Sequence, residues 1–257
     1  MSNANYWADK DERKKQARQH LEAFSKEYSA EIENSINGTK IYGDYTSSDK
    51  INTDIQVQLK AMNTTDALFN EKSSGKIAVL NFASYCNPGG RFLDGSSAQE
   101  ECLCMDSTLY QVLKHFEQEY YYWNRHNKNG GLYRDRALYS PDIVFDANGA
   151  VRKCDVITCA APNWSAAERN AISYVDNMRA LEKRISFMFD VCVDNKVDTL
   201  IAGAWGCGVF KQSPVSVAKI FSNFIKIGVP INKIVFAIPG DMNYFAFKKV
   251  LQLNELF

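Results

Sequence analysis

Apolar residues recur at helical spacing between Lys10 and Ile36, where Leu21, Phe24, Tyr28 and Ile32 stand among charged neighbours. That stripe predicts an amphipathic N-terminal helix packed on a larger body. The tetrapeptide "NGTK" ends it, residues 40–59 read as short strands, and "TTDALFNEK" opens a short helix on a threonine. The run Lys76–Ser84, "KIAVLNFAS", is different in kind: short, continuously apolar and rich in strand formers, as a strand buried on both faces should be. "KCDVITCAA", "DTLIAGAWGCGVF" and "KIVFAIP" repeat that signature.

Helical patterns separate these runs. A long one extends from Ala98 through "QEECLCMDSTLYQVLKHFEQEYYYWNRH" to the break "NKNGG", with Leu103, Leu109, Leu113 and Phe116 on its apolar face. Another covers Ser165–Asn195 with a capping box in "SAAE". A third is opened by Ser213 with Pro214 in its first position, and "DMNYFAFKKVLQL" is the last. "LYRDRALYSPDIVFDANG" reads as extended pieces joined by turns. Alternating strands and helices predict an α/β architecture with a largely parallel sheet. In such sheets ligands sit beyond the carboxyl ends of the strands, and two glycine loops, "NPGG" after Ser84 and "GCG" after Trp205, leave strands there.

Composition narrows the function. With 257 residues, 46% of them hydrophobic, the chain can bury a full core as one large domain or a domain with an extension. Thirty basic residues balance thirty acidic ones, so no global field draws in nucleic acid. Seven cysteines, several inside apolar runs, point to a reducing compartment, and the three histidines form no metal-binding array. No apolar leader and no run of eighteen apolar residues is visible, so neither a signal peptide nor a membrane span is expected, and the cytosol is the expected location. No metal and no cofactor are expected.

The candidate chemistry lies in "NPGGRFLDGSSAQEE", Asn87–Glu101, which joins a glycine pair to two adjacent carboxylates. Glycine lets a backbone come close to a ligand, and Glu100 and Glu101 bring charge and a proton to the head of a helix. Asn87 either bonds a ribose or begins an Asn-Pro turn. Trp205 and the "YYYW" at Tyr120–Trp123 are assigned to the core, "RKKQAR" to a solvated helix face, and Cys207 is valued for its backbone rather than its sulfur.

Taken together, "LNFASYCNPGGRFLDGSSAQEECLCMDSTLY", "YSPDIVF", "CAAPN", "AGAWGCGVF" and "VAKIF" resemble, in order, the microbial-type poly(ADP-ribose) glycohydrolases. That resemblance covers most of the chain. It implies a macrodomain-like three-layer α/β/α fold with a central mixed, largely parallel sheet, a helical extension over 1–60 and a catalytic domain over 61–257. It also implies hydrolysis of ribose–ribose O-glycosidic bonds, releasing ADP-ribose, by a monomer whose ligand is poly(ADP-ribose) or ADP-ribose. By position in the motif, Glu101 would be the catalytic acid, Glu100 would hold ribose hydroxyls and Gln99 would orient the loop. Gly89 and Gly90 would let the backbone approach ribose and diphosphate. Gly206, Cys207, Gly208 and Val209 would cradle the diphosphate through backbone N–H groups, with Phe210 against the terminal ribose.

Two features set this chain apart or need explaining. Arg91 replaces the third glycine of the family signature, so its side chain either crowds the ribose or turns outward toward a phosphate. A glutamate in a helix's first turn is stabilised as the anion. A bound diphosphate, the second carboxylate and exclusion of water would push back toward the protonated form. Adjacent helix residues point about 100° apart, which favours one acid and a positioned water over two facing carboxylates. The competing readings are a module that binds ADP-ribose without cleaving it, and a hydrolase of another ADP-ribose conjugate.

Overall fold

Strand alternation decides which side of the sheet each residue serves. The computed structural model describes residues 3–46, 52–147, 149–240 and 242–252. Its central sheet has strands β1 (Lys40–Gly43), β2 (Gln56–Lys60), β3 (Ile77–Phe82), β4 (Arg136–Ala147), β5 (Ala150–Cys159), β6 (Thr199–Ala202) and β7 (Lys233–Ala237). The spatial order is β1-β4-β5-β3-β6-β7-β2. β1, β4 and β5 pair antiparallel, and from β5 to β2 every neighbour is parallel. The sheet is therefore mixed and largely parallel, as expected.

The helices are α1 (Asn3–Glu27), α2 (Ser29–Gly38), α3 (Thr64–Asn70), α4 (Gln99–Met105), α5 (Leu109–His115), α6 (Trp123–His126), α7 (Trp164–Arg169), α8 (Tyr174–Asp194), α9 (Pro214–Ile227) and α10 (Met242–Leu251). Ala78 and Leu80 of β3 face one core with Leu181 and Ile185 of α8 and Phe221 of α9, while Ile77 and Val79 face the other with Leu68 of α3, Leu103 of α4 and Leu113 of α5. Period-two alternation on a strand buried on both faces produces these three layers.

Several elements are shorter than their sequence patterns. The N-terminal helix expected as one piece bends at Tyr28 (φ −111°, ψ 30°), whose hydroxyl donates to Asp146 Oδ2 at 2.7 Å. Within the extension expected over 1–60, α1 and α2 end at Gly38, and β1 and β2, where short strands are expected, form the two edges of the sheet. The helix expected over 98–126 is broken after Met105 because the chain steps out to pair with β4. Thr108 N donates to Val144 O at 3.0 Å, Asp146 N donates to Asp106 O at 3.0 Å, and Ser107 bridges Phe145. A π-helical stretch, Glu117–Tyr122, then precedes α6.

Capping explains the other two differences. Asn63 rather than a threonine caps α3, accepting from Asp66 N at 2.7 Å. The pattern over 165–195 is two helices, capped by Asn163 and by Ser173, so "SAAE" lies inside α7 instead of starting it. Ser213 does cap α9, with Pro214 in the first turn. Trp205 is fully buried with its indole N–H bonded to Cys159 O at 3.1 Å, and Tyr120 and Tyr121 are buried too, but Tyr122 and Trp123 are exposed, so the core assignment of "YYYW" holds for its first two residues and not for the last two.

Candidate active site

β3 and β6 are neighbours in the sheet and parallel, so the two glycine loops emerge side by side at their carboxyl ends. The first loop runs from Ala83 to Ala98 and returns into α4. Gln99 ties that return to the strand: its Oε1 accepts from Phe82 N at 2.8 Å, and its Nε2 donates to Leu80 O at 2.9 Å and to Thr64 Oγ1 at 3.2 Å. All its amide atoms are engaged, so it orients the head of α4.

The next two side chains converge on one point of the loop. A Cβ at Gly90 would stand 2.5 Å from Glu101 Oε1 and 2.9 Å from Glu100 Oε2. Gly90 also has φ +61°, where an L side chain is strained. Gly89, at φ +64°, would drive a Cβ to 2.6 Å from the Tyr110 ring. In this structure the glycine pair makes room for two carboxyl groups and an aromatic ring of the protein itself.

Glu100 is 3% exposed. Its Oε2 accepts from Ser84 N at 2.7 Å and its Oε1 from Asn81 Nδ2 at 3.2 Å, while Asn81 also reaches Thr158 Oγ1 at 3.3 Å. Burial pushes the Glu100 carboxyl up to about 8, the nearby Glu101 adds to the rise, and the bonds from Ser84 and Asn81 oppose it. A carboxyl that holds its proton near neutral pH therefore sits beside the expected acid. Glu101 is buried as well, and its Oε1 accepts from the backbone N–H of Arg91 at 2.8 Å.

Arg91 itself turns outward. Its backbone has φ −116° and ψ 35°, which any residue adopts, so nothing in this loop requires a third glycine there. The side chain is 66% exposed and its Nε pairs with Asp94 Oδ2 at 3.1 Å. Of its two expected orientations, the side chain takes the outward one.

The second loop follows β6. Gly206 (φ +77°) lies so close to Ala161 and Gln212 that a Cβ would be 2.9 Å and 3.0 Å from them. Gln212, buried, exchanges two amide bonds with Asn177 at 2.8 and 2.9 Å, which anchors the loop's far end. Gly208 is exposed with no atom within 4 Å of a Cβ, so of this glycine pair only Gly206 combines positive φ with close packing. Cys207 N–H already donates to Ala204 O at 3.1 Å, which removes it from the expected diphosphate donors. Among the described residues the N–H groups of Gly208, Val209 and Phe210 have no protein acceptor. The Phe210 ring meets Tyr133 edge-on at 5.9 Å, and Tyr133 stacks on Tyr85 at 4.1 Å.

Between the loops lies a cleft in two parts. One, about 180 Å³, is walled by Gln99, Gly206, Gly208, Val209 and Phe210. The other, about 370 Å³, shares Phe82, Ala98, Gln99 and Ala204 with it and adds Thr64, Asp106 and Asn243. Asn87, Gly90 and Arg91 instead line a separate hollow of about 340 Å³, so the expected site residues fall into two groups with Glu101 meeting the second through Gly90. Asn87 is exposed and its N–H donates to Ser84 Oγ at 3.2 Å, a turn rather than a contact of the larger cleft. Among the described residues no group of three or more His, Cys, Asp or Glu is placed to hold a metal ion.

Residues 13–146, just over half of the chain, match the family model described as "Microbial-type PARG, catalytic domain". The chain belongs to this family. The match ends within β4, and likeness to solved microbial PARG structures carries it into the second half. The poly(ADP-ribose) glycohydrolase of Thermomonospora curvata superposes with TM-score 0.83 at 25% identity, over 93% of this chain and 99% of that one. The same protein bound to the inhibitor ADP-HPD gives TM-score 0.80 at 25% identity, over the same 93% and 99%. The T267R mutant of the Deinococcus radiodurans glycohydrolase, in complex with ADP-ribose, gives TM-score 0.76 at 26% identity, over 86% of this chain and 97% of that one. No curated protein matches the chain.

The sequence did not single out Asn81 and Ser84, which hold Glu100, or Tyr110 beneath Gly89. Nor did it single out Asn243, although "KIVFAIPG" ends a parallel strand in proline and glycine, the same signal that flagged the other two loops.

Proposed function

We propose that this microbial-type PARG catalytic domain hydrolyses the ribose–ribose glycosidic bonds of poly(ADP-ribose), with Glu101 as the proton donor. The observation that carries the proposal is the convergence of Glu100 and Glu101 on Gly90, which lines a hollow in the loop leaving β3, the strand parallel to and next to β6. A glycosidic C1–O bond breaks through an oxocarbenium-like state, and the departing oxygen needs a proton. Glu101 supplies it. Water then adds to C1, and the Glu101 carboxylate left by the first step takes that water's proton, restoring the acid. Glu100, pushed up to about 8 by burial, adds little negative charge beside the acid near pH 7. The N–H groups of Gly208, Val209 and Phe210, which have no protein acceptor among the described residues and belong to residues lining the cleft, are donors available to a diphosphate.

The test is Glu101→Gln, which keeps shape and removes the proton donor. Release of ADP-ribose from labelled polymer should be abolished while calorimetric affinity for ADP-ribose stays within about tenfold, a change of about 1.4 kcal/mol. Wild-type turnover in the Gln variant would remove Glu101 from the role, and a wild-type protein that binds ADP-ribose without releasing any would make it a binding module.

A further inference from the structure

We infer that helix α1 latches the catalytic loop and that Arg13 is a positioning residue for Glu101. This rests on the assignment of Glu101 as the acid. Gly95, at the end of the short 3₁₀ turn Phe92–Asp94, has φ +75°, and a Cβ there would lie 2.3 Å from the backbone carbonyl of Lys10 and 3.2 Å from Lys14 Cγ. The backbone of α1 thus runs against the loop at a spacing only glycine permits. One turn along, Arg13 Nε donates to Gly95 O at 2.8 Å, a charge-assisted bond between segments 82 residues apart. Two turns beyond Arg13, on the same face, the His20 ring meets Phe92 edge-on at 6.0 Å. Phe92 is 2% exposed and packs against Tyr110 at 5.3 Å on its other side.

Helix α1 therefore grips both ends of a turn whose first anchor is Arg91. The Arg91 carbonyl accepts from Asp94 N at 3.0 Å and from Ser96 N at 3.2 Å, and Gly95 N closes on Phe92 O at 3.0 Å. With its carbonyl held twice, Arg91 has little freedom, and its N–H is the group that meets Glu101 Oε1 at 2.8 Å. Releasing Gly95 loosens this chain of bonds and lets the Arg91 N–H swing away, so Glu101 loses the contact that fixes its carboxyl. A segment that reads in sequence as a solvated helix face thus sets the geometry of the acid without touching substrate.

The experiment compares wild type with Arg13→Ala, Arg13→Lys, Gly95→Ala and, as a control on the exposed side of α1, Lys15→Ala. Amide hydrogen exchange at residues 92–96 reads the latch, and kcat and KM on poly(ADP-ribose) read its consequence. In Arg13→Ala, exchange at those amides should rise about tenfold and kcat should fall about tenfold, which is about 1.4 kcal/mol. KM and ADP-ribose affinity should stay within about twofold, because the cleft that binds ligand is untouched. Arg13→Lys should recover part of both effects, since an ammonium can also donate to Gly95 O. Gly95→Ala should reproduce the loss, and Lys15→Ala should change nothing. Unchanged exchange in Arg13→Ala overturns the latch whichever residue is the acid. Faster exchange with wild-type kcat, or a rise in KM in place of a fall in kcat, overturns the positioning role. An inactive Glu101→Gln beside a fully active Arg13→Ala sinks this inference alone and leaves the acid assignment standing.

Discussion

Glu101 Oε1 stands 2.5 Å from the point where a Cβ on Gly90 would lie, and Glu100 Oε2 is 2.9 Å from that same point. Side chains one residue apart on a helix diverge by about 100°. Here the preceding loop folds back so that one glycine faces both. The missing side chain of Gly90 is thus part of the carboxylate site rather than a mere turn requirement.

Gly90→Ala should therefore do two separable things. The alanine at φ +61° costs about 1–2 kcal/mol of stability. Its methyl also displaces at least one carboxyl group, so turnover on poly(ADP-ribose) should fall about 100-fold, equivalent to about 2.7 kcal/mol in the barrier. Denaturant unfolding and steady-state kinetics measure the two terms. A folded Ala variant with wild-type turnover would mean that the carboxyls relocate freely and that their convergence is irrelevant to catalysis.

Glu100→Gln tests the raised carboxyl. The ordinary value is 4.5 and burial lifts the folded one to about 8, so between these pH values the folded protein holds a proton that the unfolded chain has released. Stability linked to this group is complete below about pH 4.5 and is lost as pH rises toward 8, with a slope of at most about 1.4 kcal/mol per pH unit. A glutamine cannot lose a proton. The variant should gain stability relative to wild type as pH increases from 5 to 8, read as the difference in unfolding midpoint. Parallel pH profiles for the two proteins would place the Glu100 titration outside that window.

Arg91→Gly restores the family's third glycine at a position whose φ of −116° does not call for one. The side chain lines a hollow separate from the cleft between the loops and is paired with an exposed Asp94. Surface pairs of this kind contribute about 0–1 kcal/mol. ADP-ribose affinity should stay within about twofold at both low and high salt. A marked loss that weakens at high salt would show the guanidinium reaching the bound phosphates.

Periodicity and strand composition are local properties, which is why much of the architecture can be read from the chain alone. The buried strands at 77–82, 154–159, 199–202 and 233–237, the serine cap of α9 and the emergence of both glycine loops from parallel strand ends all follow from short-range pattern. The Asn87–Glu101 stretch could also be singled out, because glycines and paired carboxylates are chemically distinctive wherever they fall. What required the tertiary structure depends on groups far apart in the sequence. The helix pattern over 98–126 is broken because Thr108 finds a backbone partner in Val144 of another strand, a competitor that helical periodicity cannot register. Glu100 becomes the raised carboxyl because the sheet and loop exclude water from it, and Arg91 points outward because Asp94 and the turn geometry hold it there. The role of α1 was invisible for the same reason: Arg13 reads as one charge among many until folding brings the carbonyl of Gly95 within 2.8 Å of it.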